Sequence, residues 1–185
     1  MVAAVFGMVS APYLVPDGTN YGSTMNQQFW EIPVVEGSIF INNPIPFAFR
    51  INYLANFFTE AVYRRLMEEH GVARSEFVVI FCLKSAAGEL SAQDICAITG
   101  RPKNSVSRAV NSTVEGGYVE RRLDPDDARR SFLSLTRRGE ELYKAALPIF
   151  RDREQAMLEP LTARDRQTLM RVLDKLIHRD DAWSA

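Results

Sequence analysis

Residues 121–130 read RRLDPDDARR, four arginines and three aspartates within ten residues around Pro125. Guanidinium forks bind phosphates and the acceptor edges of bases, and a neighbouring carboxylate can hold such a fork in place before it meets a partner. The Asp-Pro-Asp-Asp content is turn chemistry. "YVERR" and "SFLSL" on either side read as short strands, so the charged decade is expected at the tip of a β-hairpin. A second group lies just upstream in "RPKNSVSRAVN" (101–111), where Pro102 suits the first turn of a helix. Val106, Ala109 and Val110 give that helix a packing side. Lys103, Asn104, Ser105, Ser107, Arg108 and Asn111 fall largely on the other side or at its N-terminal end. These are short or forked donors of the kind that reach base edges and phosphates, and the helix N-terminal amides add a phosphate site. From the hairpin, Arg122, Asp127, Arg129 and Arg130 join them as candidates for contact with DNA.

The charge pattern supports a defined anionic partner. The chain has 185 residues and a formal net charge of −1, yet residues 101–138 carry nine basic and five acidic side chains, a net of +4. Residues 1–49 contain no lysine or arginine and sum to −3. Positive charge is thus confined to one segment, which favours a contact surface over general stickiness.

Other chemistry has little to work with. His70 and His178 lie far apart and have no ligand-spaced partners, so neither a metal site nor a His-based catalytic constellation is expected. No phosphate-binding loop and no Ser/His/Asp or Cys/His grouping appears, and the chain reads as a non-enzyme without cofactor. Cys82 and Cys96 sit in apolar helical patterns and form no CxxC pair. They are expected as buried core thiols in a reducing cytoplasm. The N-terminal run "MVAAVFGMVSAPYLVP" lacks a basic n-region and is broken by Gly7, Ser10 and Pro12, so no signal peptide or membrane span is expected.

The elements that must position the charged groups follow from periodicity and caps. Ile51, Leu54, Ala55, Phe58, Val62 and Leu66 recur at helical spacing, with Gly71 as the stop. Phe47, Tyr53, Phe57, Tyr63 and Met67 make the same helix apolar on a second side, which calls for a partner subunit as well as a core. Ser75 is expected to cap a second helix through Leu83, and Ser91 with Asp94 forms a capping box for a third, ending at Gly100. The fourth helix runs to Glu115 and stops at Gly116-Gly117. After the hairpin, Thr136 begins a long helix through about Leu158, which Pro148 is expected to bend. Pro160 and "TARD" separate it from a last helix, roughly Ala163–His178. Residues 1–46 are poor in helix signals, with short β-like runs in "FWEIPVVEGSIFI".

Two short helices joined by a turn and followed by a hairpin make a winged helix-turn-helix, whose second helix enters the DNA major groove while the wing reaches beside it. The run "YVERRLDPDDARRSFLSLTRRG" closely resembles the wing of MarR-type transcriptional regulators, an Asp-Pro-x-Asp-x-Arg turn and a strand ending in Leu-Thr-x-x-Gly. Here those positions are Asp124, Pro125, Asp127, Arg129, Leu135, Thr136 and Gly139. "LSAQDICAITGRPKNSVSRAVNSTVEGGYVERR" resembles the family's helix-turn-helix, with Ser105, Val106, Ser107, Arg108, Val110 and Gly117 in matching places. The resemblance spans roughly residues 47–180. It implies a homodimer intertwined through the first and the last two helices, and a small-molecule pocket between that region and each DNA-binding lobe. Ala109 and Thr113 stand where the family often has leucine, which predicts a looser packing register for the recognition helix. Ala128 stands where many members have a further arginine.

The resulting expectation is a mostly α chain with a small β-hairpin, a winged helix-turn-helix lobe plus a helical dimerisation region. Residues 1–46 would be an extension, read as a dimer arm, a pocket lid or, in part, a product of a mis-chosen start codon. Residues 47–74 would be the first dimerisation helix, 75–138 the DNA-binding lobe, and 139–185 the C-terminal dimerisation helices. The function expected is that of a cytoplasmic, homodimeric regulator, a repressor in the favoured sense. It would bind a pseudo-palindromic double-stranded operator and be released by a small aromatic or carboxylated effector. Arg50, Tyr53 and Phe57 would either line that effector's pocket or belong to the dimer interface. The rival reading is a winged-helix module for protein–protein contact without specific DNA binding. No membrane partner is expected.

Overall fold

The computed structural model describes residues 40, 43–86, 88–123 and 131–179. Among them the chain forms six helices and one two-stranded antiparallel sheet. In order these are α1 (Pro46–His70), α2 (Arg74–Ser85), α3 (Ala92–Thr99), α4 (Lys103–Glu115), β1 (Val119–Leu123), β2 (Ser131–Leu135), α5 (Arg137–Leu158) and α6 (Ala163–Ile177). The β-like runs read between residues 29 and 41 fall outside the described residues except for Phe40, and so does the hairpin tip, 124–130.

Local chemistry accounts for most of the boundaries. Gly71 at φ 65° closes α1, and Gly100 at φ 64° closes α3. At the start of α3 the Ser91–Asp94 box is complete: Asp94 N–H donates to Ser91 Oγ at 3.2 Å, and Ser91 N–H donates to Asp94 Oδ2 at 2.8 Å. Thr162 and Asp165 repeat the device at α6, and the hydrogen bonds from Thr162 hold the Asp165 carboxyl below the usual carboxylate range. Ser75 does not cap α2. Ala73 occupies that position, and its N–H donates to Glu76 Oε2 at 2.6 Å. The carboxylate three residues on captures the free amide that a short hydroxyl at residue 75, already inside the helix, does not serve. Pro148 lies within α5 and is exposed.

The core falls into two clusters. Val79, Cys82, Leu83, Ile95, Val106, Ala109, Val110, Val119 and Leu133 join α2, α3, α4 and the hairpin. Leu66, Val72, Phe77, Ile80, Leu142 and Ala146 join α1, α2 and α5. In the second cluster the Phe77 and Phe150 rings stack at 4.7 Å, and Tyr63 meets Phe150 edge-on at 5.5 Å. Ala109 and Thr113, which stand where leucine was expected, are both buried in the core face of α4, and Thr113 Oγ1 donates to the Val110 carbonyl at 2.9 Å.

The step from hairpin to α5 explains the Leu-Thr-x-x-Gly pattern. Thr136 N–H donates to the Tyr118 carbonyl at 3.0 Å, and Thr136 Oγ1 donates to the Gly117 carbonyl at 2.7 Å. The same hydroxyl accepts from Gly139 N–H at 3.1 Å and so caps α5. A Cβ on Gly139 would collide with the Tyr118 carbonyl oxygen, so only glycine lets α5 start against β1.

Among the described residues, α1 and α6 carry most of the exposed large apolar side chains. On α1, Ile51 and Leu54 of the first series and Phe47, Phe57 and Met67 of the second are exposed, although Val62 and Leu66 are buried. On α6, Leu169, Met170, Val172, Leu173, Leu176 and Ile177 are all exposed, and no residue of that helix is buried. A 15-residue helix is marginal by itself in water. Among the described residues no helix is long and apolar enough to cross a membrane.

Two outcomes are expected. Gly139→Ala forces backbone apart at the base of the wing and lowers stability by about 1–3 kcal/mol in urea unfolding. Cys82 is buried, and burial pushes its thiol above the ordinary cysteine range, with Arg101 opposing. Thiolate is therefore scarce in the folded chain, and alkylation at pH 8 followed by mass spectrometry labels Cys96 first and Cys82 only on unfolding. Because the unfolded chain loses this proton at lower pH, the group's contribution is present below the ordinary thiol pKa and shrinks as pH rises above it.

Candidate nucleic-acid interface

α3 and α4 form the helix-turn-helix pair, joined by Gly100, Arg101 and Pro102. At 100° per residue, Lys103, Asn104, Ser107, Arg108 and Asn111 share roughly 140° of arc on α4. Lys103, Asn104, Arg108 and Asn111 are exposed and Ser107 is half-buried. Ser105 lies apart, half-buried on the flank of the helix. The opposite face carries Val106, Ala109, Val110 and Thr113 into the core. Five of the six sequence-assigned donors on α4 are thus brought to one face. Arg108 Nε donates back to the Asn104 carbonyl at 3.3 Å, which folds that side chain along the helix.

The wing is built on the same core. β1 and β2 pair antiparallel in the register Val119↔Leu135, Arg121↔Leu133 and Leu123↔Ser131. Leu90 adds an isolated bridge on the far edge of β2: Leu133 N–H donates to the Leu90 carbonyl at 2.8 Å, and Leu90 N–H donates to that of Leu133 at 3.4 Å. Val119 and Leu133 bury their side chains beside α4, whereas Arg121, Arg122 and Leu123 are exposed.

Within this frame Arg122 is engaged by two neighbours. Its Nη2 lies 2.6 Å from Glu89 Oε2, and its guanidinium sits 5.2 Å from the centroid of Phe132, the residue directly opposite in the hairpin. The ion pair is solvent-exposed and contributes at most about 1 kcal/mol, so it orients the guanidinium more than it stabilises the lobe. Arg121 Nη2 donates to Asn111 Oδ1 at 2.7 Å, linking wing and helix directly. Near the root of the wing, Arg138 lies 4.7 Å above the Tyr118 ring. The Lys84 ammonium bonds Glu140 at 2.8 Å, and that bond and its charge hold the Glu140 carboxyl below the usual range. Asp127, Arg129 and Arg130 lie outside the described residues.

Arg121, Glu89, Glu76 and Ser112 did not stand out in the sequence. Arg121 belongs to the charged tract, but strand alternation alone does not say which helix residue it meets. Glu89 and Glu76 are single acids in ordinary surroundings whose partners lie 33 and 36 residues away.

Of the residues assigned to an effector pocket, Tyr53 and Phe57 pair their rings at 4.4 Å one turn apart. Arg50 Nη1 donates to the Pro46 carbonyl at 2.9 Å, and its guanidinium lies 5.8 Å from the Phe40 ring. Cys82 is buried as expected, while Cys96 is only half-buried against the same core. Among the described residues no group of three or more His, Cys, Asp or Glu side chains could hold a metal ion.

Comparison with known proteins matches this arrangement. Residues 70–130 match the model of the MarR family. The chain is similar to a MarR/EmrR family transcriptional regulator from Acinetobacter sp. ADP1, at 31% identity and a TM-score of 0.65, over 72% of this chain and 94% of that one. Its fold is also like that of a mutant MarR from E. coli crystallised with operator DNA, at 22% identity and a TM-score of 0.63, over 71% and 94% of the two chains. A curated relative is the HTH-type transcriptional regulator BilQ from Clostridium symbiosum, 27% identical over 86 residues, or 46% of this chain. The chain spans 60% of that relative's length. The helix-turn-helix, its wing and the flanking helices follow the order of a relative matched over nearly its whole length, and regulators of this kind are not enzymes. The chain belongs to the MarR family of transcriptional regulators.

Proposed function

We propose that this regulator binds a pseudo-palindromic DNA operator as a homodimer and acts in the cytoplasm as a repressor that a small effector releases. The observation that carries the DNA reading is the polar arc of α4 set beside the wing, within the one segment of the chain that has a net charge of +4. Lys103, Asn104, Ser107, Arg108 and Asn111 would face the major groove. Ser105 would serve the helix N-terminal end, and Arg122, Arg129 and Arg130, aimed by Asp127, would serve the wing. The operator complex of the E. coli relative supports this assignment by likeness of fold.

The dimer reading rests on the exposed apolar residues of α6 and of the N-terminal half of α1, which would be costly to leave in water. In this scheme residues 47–74 and 139–185 would be the dimerisation elements. Two recognition helices would then enter successive major grooves about one helical turn apart. Tyr53 and Phe57, with Arg50 for a carboxylate, would serve an aromatic acid. Such an effector releases the operator only if it binds better to a dimer whose lobes are wrongly spaced, and the two affinities then weaken each other equally.

Fluorescence anisotropy with the DNA upstream of the gene tests the reading at several salt concentrations. Tight, saturable binding is expected, and its log–log salt slope becomes shallower by about one unit in Arg129→Ala. Weak binding indifferent to Arg129 and to every candidate operator would leave the protein-contact module as the better reading. Sedimentation should give a dimer for the wild type, and Leu173→Glu, which puts a charge among the apolar residues of α6, should shift it to monomer; an unchanged dimer places the interface elsewhere.

A further inference from the structure

Two consecutive residues of α4, outside its buried face, are each held by a side chain from a different element. Ser112 Oγ donates to Glu76 Oε1, in the first turn of α2. The other oxygen of that carboxylate accepts Ala73 N–H at 2.6 Å, in the short junction that follows α1. One carboxylate therefore ties the backbone leading in from α1 to the recognition helix. Asn111 Oδ1, one residue earlier, accepts from Arg121 Nη2 of the wing at 2.7 Å.

Val106, Ala109, Val110 and Thr113 resist separation of the helix from its neighbours, but apolar attraction is not directional and opposes a small roll less sharply than a hydrogen bond of set geometry does. A roll of roughly 10° moves side-chain tips on a helix of about 5–6 Å radius by about 1 Å. Hydrogen bonds to base edges tolerate only about 0.5 Å, whereas long basic side chains can follow a phosphate over such a shift. Directional bonds at Ser112 and Asn111, well off the buried face, are placed to oppose that roll.

We propose that Glu76 and Arg121 are positioning residues for sequence reading: through Ser112 and Asn111 they set the roll of the recognition helix against the wing and the α1–α2 junction. The inference rests on the DNA-binding reading above. It adds that discrimination between sequences, rather than general affinity, depends on two residues that need not touch a base. It also gives a route by which a displacement of α1 at Ala73 reaches the recognition helix through a single carboxylate.

The test uses the full chain and two duplexes, one selected by the wild type from a random library and one of the same composition with its order scrambled. Ser112→Ala and Glu76→Ala should each lower the selected-to-scrambled affinity ratio about fivefold or more, and Glu76→Gln, whose amide oxygen can accept Ala73 N–H while its NH2 donates to Ser112 Oγ, should restore it. Scrambled-duplex binding by these three should stay within about twofold, because phosphate contacts are untouched. In each pair, Glu76 with Ser112 and Arg121 with Asn111, the double alanine variant should lose no more of the ratio than the worse single one, the signature of coupled residues. Thermal unfolding reports any loss of fold in Glu76→Ala, and Ser112→Ala leaves the Ala73 cap intact. Additive losses, equal losses on both duplexes or no effect of Ser112→Ala overturn the proposal while leaving DNA binding in place. A wild type that yields no preferred duplex overturns the DNA reading, and the clamp with it.

Discussion

Leu133 is the point at which reading helix and wing become one object. Its side chain is fully buried with those of Val106, Ala109 and Val110 from α4, and its backbone exchanges two hydrogen bonds with Leu90. Across β1 it faces Arg121, so the same residue pair that anchors the hairpin also presents the guanidinium that reaches Asn111. A two-stranded hairpin is marginal on its own. Its rigidity here comes from that buried side chain, the added bridge and the fastening of its root by Thr136 and Gly139 to the turn after α4. The wing inherits the stability of the core because its central residue belongs to it.

Around this anchor the charges sort into holders and candidates for contact. Glu89 and Phe132 orient Arg122, Arg121 orients Asn111, and Lys84 pairs with Glu140. These are surface interactions, individually weak. Their value is entropic: a guanidinium already held in one rotamer loses less freedom when it meets a phosphate or a base. The mixture of signs in a segment of net +4 is consistent with that use, since carboxylates and amides place the cations rather than cancel them.

The uncovered apolar residues of α1 and α6 belong to the same logic at a larger scale. A helix with no buried residue, capped by a complete Thr162–Asp165 box, is locally well specified yet keeps its apolar side chains exposed among the described residues. A second subunit would supply the missing burial. The lobe would then be joined to that shared body through the Val72–Ala73 junction, next to Glu76. Such an arrangement makes the angle between body and lobe the natural quantity for a regulator to vary.

Much of this was legible in the residue order, because the signals were local. Gly71, the Ser91–Asp94 box, the Gly116-Gly117 stop and the Thr136 and Thr162 caps act within a turn of the element they bound, and they placed its ends within a few residues. The donors of α4 could be assigned to one face because helical periodicity alone fixes the side on which a residue lies. Ser75 misled, since its hydroxyl and the carboxylate of Glu76, three residues after Ala73, are both signals for a helix start and only the backbone geometry decides between them. What the sequence by itself determined, then, was the order, type and polarity of the elements and the family they compose. Only the tertiary structure decided that Thr113 is buried on the core face, that Arg122 rests on Glu89 and Phe132, and that Glu76 and Arg121 hold adjacent residues of one helix. Those pairings join residues from 10 to 36 positions apart, and a distance of that kind is set by how helices close around a shared core, which no local pattern records.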